Sequence, residues 1–230
     1  MASLFPEGHG PLLPNFSSLL VKGPYPIACP VNLALSFPNR SVIILSACDK
    51  EDANNSLRAS LQGLKLTGKI SLQAGRVQIF YPPTAAHMAL LLSTLQVIDT
   101  EHPISTSAST VPMYNPHQLK PPGPGLVIIH ELSIYFNSII EHSSSPSSSY
   151  LSLLARVVSL TSRLGASLAV FDKGVDVLKM PVHPSPNPHL EHLQAITPLL
   201  ANFLELIIDF SEESVDGAVY RTTQNSIPTV

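Results

Sequence analysis

Short apolar segments recur along the chain, each ended abruptly by glycine, proline or a polar side chain. They are Ser18-Leu19-Leu20-Val21-Lys22, Ser41-Val42-Ile43-Ile44-Leu45-Ser46-Ala47, Arg76-Val77-Gln78-Ile79-Phe80-Tyr81 and Gly125-Leu126-Val127-Ile128-Ile129-His130-Glu131. Strands covered by helices on both faces lose the apolar/polar alternation, so the second and the last of these segments read as buried strands of a parallel sheet and the first and third as further strands. The last is the expected central strand. Open α/β sheets place their sites just past the carboxyl ends of the strands, which puts His130 and Glu131 where chemistry would sit.

Helical stretches separate the strands. Val31 to Phe37 predicts a brief helix, and Asp49-Lys50-Glu51-Asp52 opens a polar helical stretch with acidic residues at its start. Thr84 is the expected N-cap of a helix from Ala85 to about Ile98, with Met88, Leu91, Leu92 and Leu95 on one face. Leu132 to His142 reads as helix or irregular chain. Leu151, Leu154, Val158 and Leu164 mark an amphipathic helix that stops at Arg163-Leu164-Gly165. Ala166 to Phe171 is the next strand, and Asp172 to Pro188 the loop after it. A last apolar stretch, Leu199 to Phe210, is expected to pair with Ala218 to Thr222 as an antiparallel extension of the sheet.

This rhythm predicts one α/β domain over residues 18–223. Residues 1–17, with Pro6, Gly8, Gly10, Pro11 and Pro14, read as an irregular lead-in rather than a packed element, and 224–230 as a tail. Stretches near 100–124 and 143–149, rich in Ser, Thr and Pro, read as flexible insertions.

Composition narrows the function. Of the 230 residues 44% are hydrophobic and only 13% charged, against a usual charged share of ~25%, which predicts surface hidden against a partner. The net charge of −3 argues against a strongly basic nucleic-acid binder and leaves room for a local patch. Cys29 and Cys48 are too few for a disulfide framework. No apolar run reaches the ~18 residues of a membrane span and no leader pattern is present, so a soluble protein of the cytosol or nucleus is expected.

The turn after the first strand is where a phosphate-binding loop would lie. Such a loop needs Gly-x-x-x-x-Gly-Lys-Ser/Thr, because backbone N–H groups cradle phosphate, the lysine neutralises it and the hydroxyl holds Mg²⁺. Gly23-Pro24-Tyr25-Pro26-Ile27-Ala28-Cys29-Pro30 keeps the first glycine but puts Ala28, Cys29 and Pro30 at the three working positions. Its prolines also remove N–H donors. His130 replaces the expected metal-holding Asp, and imidazole is a poor ligand for Mg²⁺. Glu131 reads as a surface carboxylate. The expectation is a degenerate nucleotide site with no cofactor, no metal and no catalytic residue. His183, His189 and His192 read as exposed loop histidines, and Cys29 as a buried structural thiol. Arg58, Lys65, Lys69 and Arg76 form one basic interval, and Lys173 and Lys179 another; both are candidates for a phosphate backbone.

The order strand, loop-like turn, helix, strand, long middle segment, central strand, helix, strand resembles the ATPase core of the RecA recombinase family. The segments Leu126 to Phe136 and Tyr150 to Val170 carry most of the likeness. Val77-Gln78-Ile79-Phe80-Tyr81-Pro82-Pro83-Thr84, with the Leu-rich helix after it, resembles the small divergent recombinase paralogues of the Shu type. That resemblance implies a RecA-like, mostly parallel sheet flanked by helices. It further implies a non-enzymatic nuclear subunit of a hetero-oligomer supporting recombinase filaments in homologous-recombination repair. Its implied partners are a SWIM-domain recombination mediator, a RecA-like recombinase and single-stranded or forked DNA, with no membrane. Lys173 and Lys179 carry over as the DNA-facing loop. The alternative is a structural pseudo-ATPase of an Elongator-type ring that supports transfer-RNA modification.

Overall fold

The structure is a computed structural model, and it describes residues 2–6, 10–38, 40–48, 51, 72–97, 118–119, 123–137, 146–181, 193–211 and 219–224. In chain order the elements are β1 (Ser18–Lys22), α1 (Cys29–Ser36), β2 (Ser41–Ser46), β3 (Val77–Phe80), α2 (Ala85–Thr94), β4 (Gln96–Val97) and β5 (Gln118–Leu119). They continue with β6 (Pro124–His130), α3 (Ile134–Asn137), α4 (Pro146–Leu164), β7 (Ser167–Asp172), β8 (Lys179–Pro181), β9 (Leu193–Ala195), α5 (Thr197–Leu200), β10 (Leu206–Ser211) and β11 (Val219–Gln224).

Seven strands form the main sheet in the order β11-β10-β1-β7-β6-β2-β3. The six from β10 to β3 are all parallel, and β11 closes one edge antiparallel to β10, Phe210 facing Tyr220. The expected antiparallel extension is therefore present, and β6 lies inside the sheet between β7 and β2. Leu126 to Ile129 are all 0% exposed, which is why this strand shows no alternation in sequence. Burying each such side chain is worth ~1.5–3 kcal/mol, and truncating Ile128 to alanine would cost ~2–5 kcal/mol.

The two faces of the sheet bury different neighbours. Leu20, Ile43, Leu45, Val127 and Ile129 face a cluster completed by α2, α3, α4 and α5 through Met88, Phe136, Leu153 and Leu200. Leu19, Val21, Ile44, Ile128 and Phe171 face a second cluster that contains Cys29 and Leu33 of α1. α1 is only eight residues long, so it leaves apolar strand surface to cover. The N-terminal segment covers it.

That segment is irregular, as expected, but packed, which the sequence reading excluded. Leu4 is 2% exposed, Ser3 bridges Leu12, and Asn32 on α1 donates from Nδ2 to the Leu4 carbonyl at 3.1 Å. The serine-rich stretch also differs from expectation: α4 begins at Pro146, inside it. Proline suits the first turn of a helix, and Ser148 and Ser149 point to solvent before Tyr150 reaches the core. The far end of α4 follows the sequence reading. Gly165 has φ +58°, its N–H meets the Ser162 carbonyl at 3.2 Å, and the Ala166 N–H meets the Thr161 carbonyl at 3.0 Å.

Thr84 caps α2 as expected, accepting from the His87 N–H at 3.2 Å, but the helix stops at Thr94 and gives way to β4. β4 pairs with β5, so the stretch near 100–124 contributes a short strand, and Leu119 is buried in the core. The loop expected after β7 holds β8, paired antiparallel with β9. β11 ends at Gln224, one residue beyond the expected domain end. The rest of both insertions, residues 138–145 and 182–192, and most of the polar stretch after Asp49 lie outside the described residues. Among the described residues, no helix is long and apolar enough to cross a membrane.

Candidate functional site

β1 and β7 are neighbours, yet the chain leaves them toward opposite faces. After β1 it enters α1 against the second cluster; after β7 it runs through Val175 and Leu178 in the first. Adjacent strands that part in this way open a crevice at their carboxyl ends, the usual ligand position in such sheets. Here the crevice is filled from within. The turn Gly23–Ala28 carries the Tyr25 ring into it, where the side chain is 2% exposed and lies edge-on to Phe171, centroids 5.4 Å apart, and to Phe210 at 6.4 Å.

The turn is shaped for that purpose. Gly23 has φ +79°, and a Cβ there would lie 2.0 Å from the Phe210 carbonyl oxygen, so only glycine lets the chain pass β10. The Tyr25 N–H is spent on the Gly23 carbonyl at 2.8 Å and the Cys29 N–H on the Pro26 carbonyl at 2.9 Å. With Pro24, Pro26 and Pro30 lacking N–H groups, little of a phosphate cradle remains. Ala28 is the half-buried N-cap of α1 and offers no side-chain cap. Pro30 is buried in the first turn. Cys29, at the lysine position of a working loop, points into the second apolar cluster and is 0% exposed. Burial pushes its thiol up to about 12, against the nearby charge of Lys173, which accords with a structural thiol.

Glu131 departs from expectation. It is not a surface carboxylate: it is 8% exposed, and it leaves β6 in the left-handed conformation with φ +56°. That turn directs its side chain back across the crevice. Tyr25 donates its phenol to Glu131 Oε1 at 2.5 Å, and the Lys173 N–H donates to Oε2 at 3.3 Å. Burial, then the charge of Glu131, pushes the Tyr25 phenol far above its ordinary value, so it stays a donor.

A second buried carboxylate adjoins it. Asp172 ends β7 at 0% exposure and accepts from Ser133 N–H at 2.9 Å, Ser133 Oγ at 2.5 Å, Tyr150 phenol at 3.1 Å and Gly174 N–H at 3.0 Å. Burial pushes its carboxyl up to about 6; the Ser133 hydrogen bonds oppose the rise and the charge of Glu131 reinforces it. His130 stands beside them at the end of β6, its Nδ1 3.0 Å from Ser46 Oγ and 3.8 Å from Cys48 Sγ. Burial, with Lys173 adding, holds its imidazole down at about 4, so it is neutral at pH 7. Its Nε2 is 4.0 Å from Glu131 Oε1, too long for a hydrogen bond.

Among the described residues, the cations near the crevice are few and engaged. Lys22, last in β1, bridges Asp176 at 2.9 Å and Asp209 at 2.8 Å. Lys173 is exposed, with Nζ 4.9 Å above the Tyr25 ring. Two buried carboxylates and a committed lysine make the crevice hostile to phosphate. His130 and Glu131 are thus brought together, Gly23 lies beside β10 against Phe210, and Cys29 points into the apolar cluster.

Tyr25, Asp172, Ser133 and Tyr150 were missed in the sequence. A tyrosine between two prolines inside the loop-like turn, and an aspartate ending an apolar strand, were the signals available. Of the basic candidates, Lys173 and the exposed Lys179 on β8 follow β7. Arg76 precedes β3, at the amino end of the parallel sheet, so it belongs to the opposite end of the molecule from Lys173. Arg58, Lys65, Lys69, His183, His189 and His192 lie outside the described residues. Among the described residues, no cluster of His, Cys, Asp and Glu is arranged to hold a metal ion. No protein-family model matches the chain, and neither does any curated protein.

Proposed function

We propose that the chain is a non-catalytic RecA-like subunit of a heteromeric recombination mediator of the Shu type, supporting recombinase filament assembly in homologous-recombination repair. The observation that carries the non-catalytic part is Tyr25: its ring occupies the crevice, hydrogen-bonded to Glu131, where a RecA-like ATPase would hold phosphate. The six-stranded parallel sheet is compatible with a RecA-like core. The Shu-type part rests on the resemblance of β3, the turn Tyr81-Pro82-Pro83-Thr84 and α2. In this reading the sheet is a scaffold, the sparse surface charge serves a protein partner, and Lys173 and Lys179 meet single-stranded or forked DNA in the nucleus.

Affinity purification of the full chain from its native extract, followed by mass spectrometry, tests the assignment. Recovery of a SWIM-domain protein and a recombinase supports it. Recovery of Elongator subunits would instead place the chain in a ring that supports transfer-RNA modification. Calorimetric titration with Mg-ATP tests the non-catalytic part separately, and micromolar binding would overturn it.

A further inference from the structure

The outer surface of α2 and α4 carries cations without carboxylates. The two helices carry no aspartate or glutamate, although the whole chain has 16 and a net charge of −3. Their charged residues are Arg156 and Arg163, both exposed on α4. Between the helices runs an open groove of about 410 Å³, within the ~300–1,000 Å³ range of clefts that accept ligands. Its floor is Phe136 and Leu153. Ala85 and Ala89, one turn apart, form the α2 wall, and Ser148, Ser152 and Arg156, at successive turns, form the α4 wall.

The chemistry is one-sided. The floor is apolar, the α2 wall is short enough to admit a side chain, and Arg156 offers a guanidinium at the rim. No carboxylate among the described residues pairs with Arg156. A guanidinium beside an apolar slot matches a carboxylate held near an aliphatic or aromatic side chain. Two arginines are too few for a nucleic-acid backbone, whose binding is driven by neutralising many phosphates. An apolar floor has no use for a phosphodiester.

We propose that the groove between α2 and α4 is a docking site for an acidic segment of a protein partner, an apolar side chain entering over Phe136 and Leu153 and a nearby carboxylate pairing with Arg156. The inference rests on the groove alone and is independent of the recombination reading.

The test uses two variants at exposed α4 positions, Ser152→Trp to fill the groove and Arg156→Glu to reverse its charge, each checked for wild-type circular dichroism and urea midpoint. A random peptide-display library is selected on the full wild-type chain and counter-selected on each variant. Peptides that survive should carry Asp or Glu within a few residues of a large apolar side chain. In fluorescence polarisation each substitution should weaken them roughly tenfold or more. Survivors that are basic or uncharged, or the absence of any sequence sensitive to the two substitutions, would overturn the proposal. So would a labelled single-stranded DNA oligonucleotide whose binding falls tenfold with Arg156→Glu while no acidic peptide is recovered, since the surface would then be a nucleic-acid contact.

Discussion

Asp172 and His130 sit at neighbouring strand ends and are perturbed in opposite directions, which predicts a pH dependence visible only when one of them is removed. The Asp172 carboxyl rises from 3.8 to about 6 in the fold. A carboxyl with a raised folded value binds its proton more tightly when folded, so the stability it contributes is full below about pH 4 and is lost as pH rises through about 6. Two units are worth about 3 kcal/mol at ~1.4 kcal/mol each. The His130 imidazole falls from 6.5 to about 4. Unfolding lets it take up a proton, so its contribution is full above pH 6.5 and is lost as pH falls toward 4, about 3 kcal/mol in the other sense. Between pH 4 and 6.5 the two nearly cancel. Urea unfolding across that window should therefore give a flatter profile for the wild type than for either variant. Asp172→Asn should lose stability on acidification, and His130→Asn should gain it. Ordinary carboxylates titrate in all three proteins and drop out of the differences. Single-variant profiles that run parallel to the wild type would refute the assignment of opposed burial effects to these two residues.

Two glycines share a backbone conformation but not a neighbourhood. Gly165→Ala, with φ +58° and nothing within 4 Å of its would-be Cβ, should cost about 1 kcal/mol in urea unfolding, the price of the left-handed conformation alone. Gly23→Ala adds a collision with the Phe210 carbonyl and should cost several-fold more, or prevent folding. Charge reversal at Lys173 and Lys179 in the reconstituted complex should weaken single-strand DNA affinity and flatten its dependence on salt, read by fluorescence polarisation across a salt series. Unchanged affinity would remove the segment after β7 from any DNA contact.

Strands buried on both faces were legible as continuous apolar runs at Ser18, Ser41 and Gly125, whereas β3, at the sheet edge with Ile79 37% exposed, was legible from its bounded apolar run and the Pro82-Pro83 stop. All four became strands within a residue or so of their expected ends. The capping residues Thr84 and Gly165 were legible for the same local reason. What failed depended on distant partners. Leu4 is buried because α1 is too short to cover the sheet, a shortage that no window around Leu4 records. Glu131 is buried because its backbone turns left-handed and Tyr25, more than a hundred residues away, supplies a donor. Pro146 to Ser149 looked like linker because serine is neutral about helix formation, and Tyr150 to Leu164 decided the matter through packing.

The crevice raises the question of whether phosphate chemistry could be built into it by placing the residues of a phosphate-binding loop at positions 28 to 30. The geometry argues that it cannot. Cys29→Lys would place an ammonium in the apolar cluster that holds Leu33 and Phe171, and burying an unpaired charge costs several kcal/mol even after relaxation. Pro30→Ser would supply a hydroxyl at a buried first-turn position of α1, not at the crevice. Neither change moves Tyr25, whose ring is held by Phe171, Phe210 and the hydrogen bond to Glu131, and neither neutralises Glu131 or Asp172. The combined Ala28→Gly/Cys29→Lys/Pro30→Ser variant should therefore lose several kcal/mol in urea unfolding and show no heat on titration with Mg-ATP. Cys29→Ala, which leaves the cluster apolar, should fold with a smaller loss and serves as its control. If the triple variant instead kept wild-type stability and bound Mg-ATP at micromolar concentration, position 29 would have to turn toward the crevice and Tyr25 would have to leave it. The filled site would then be a resting conformation of a loop able to open, and the case for a non-catalytic scaffold would fall with it.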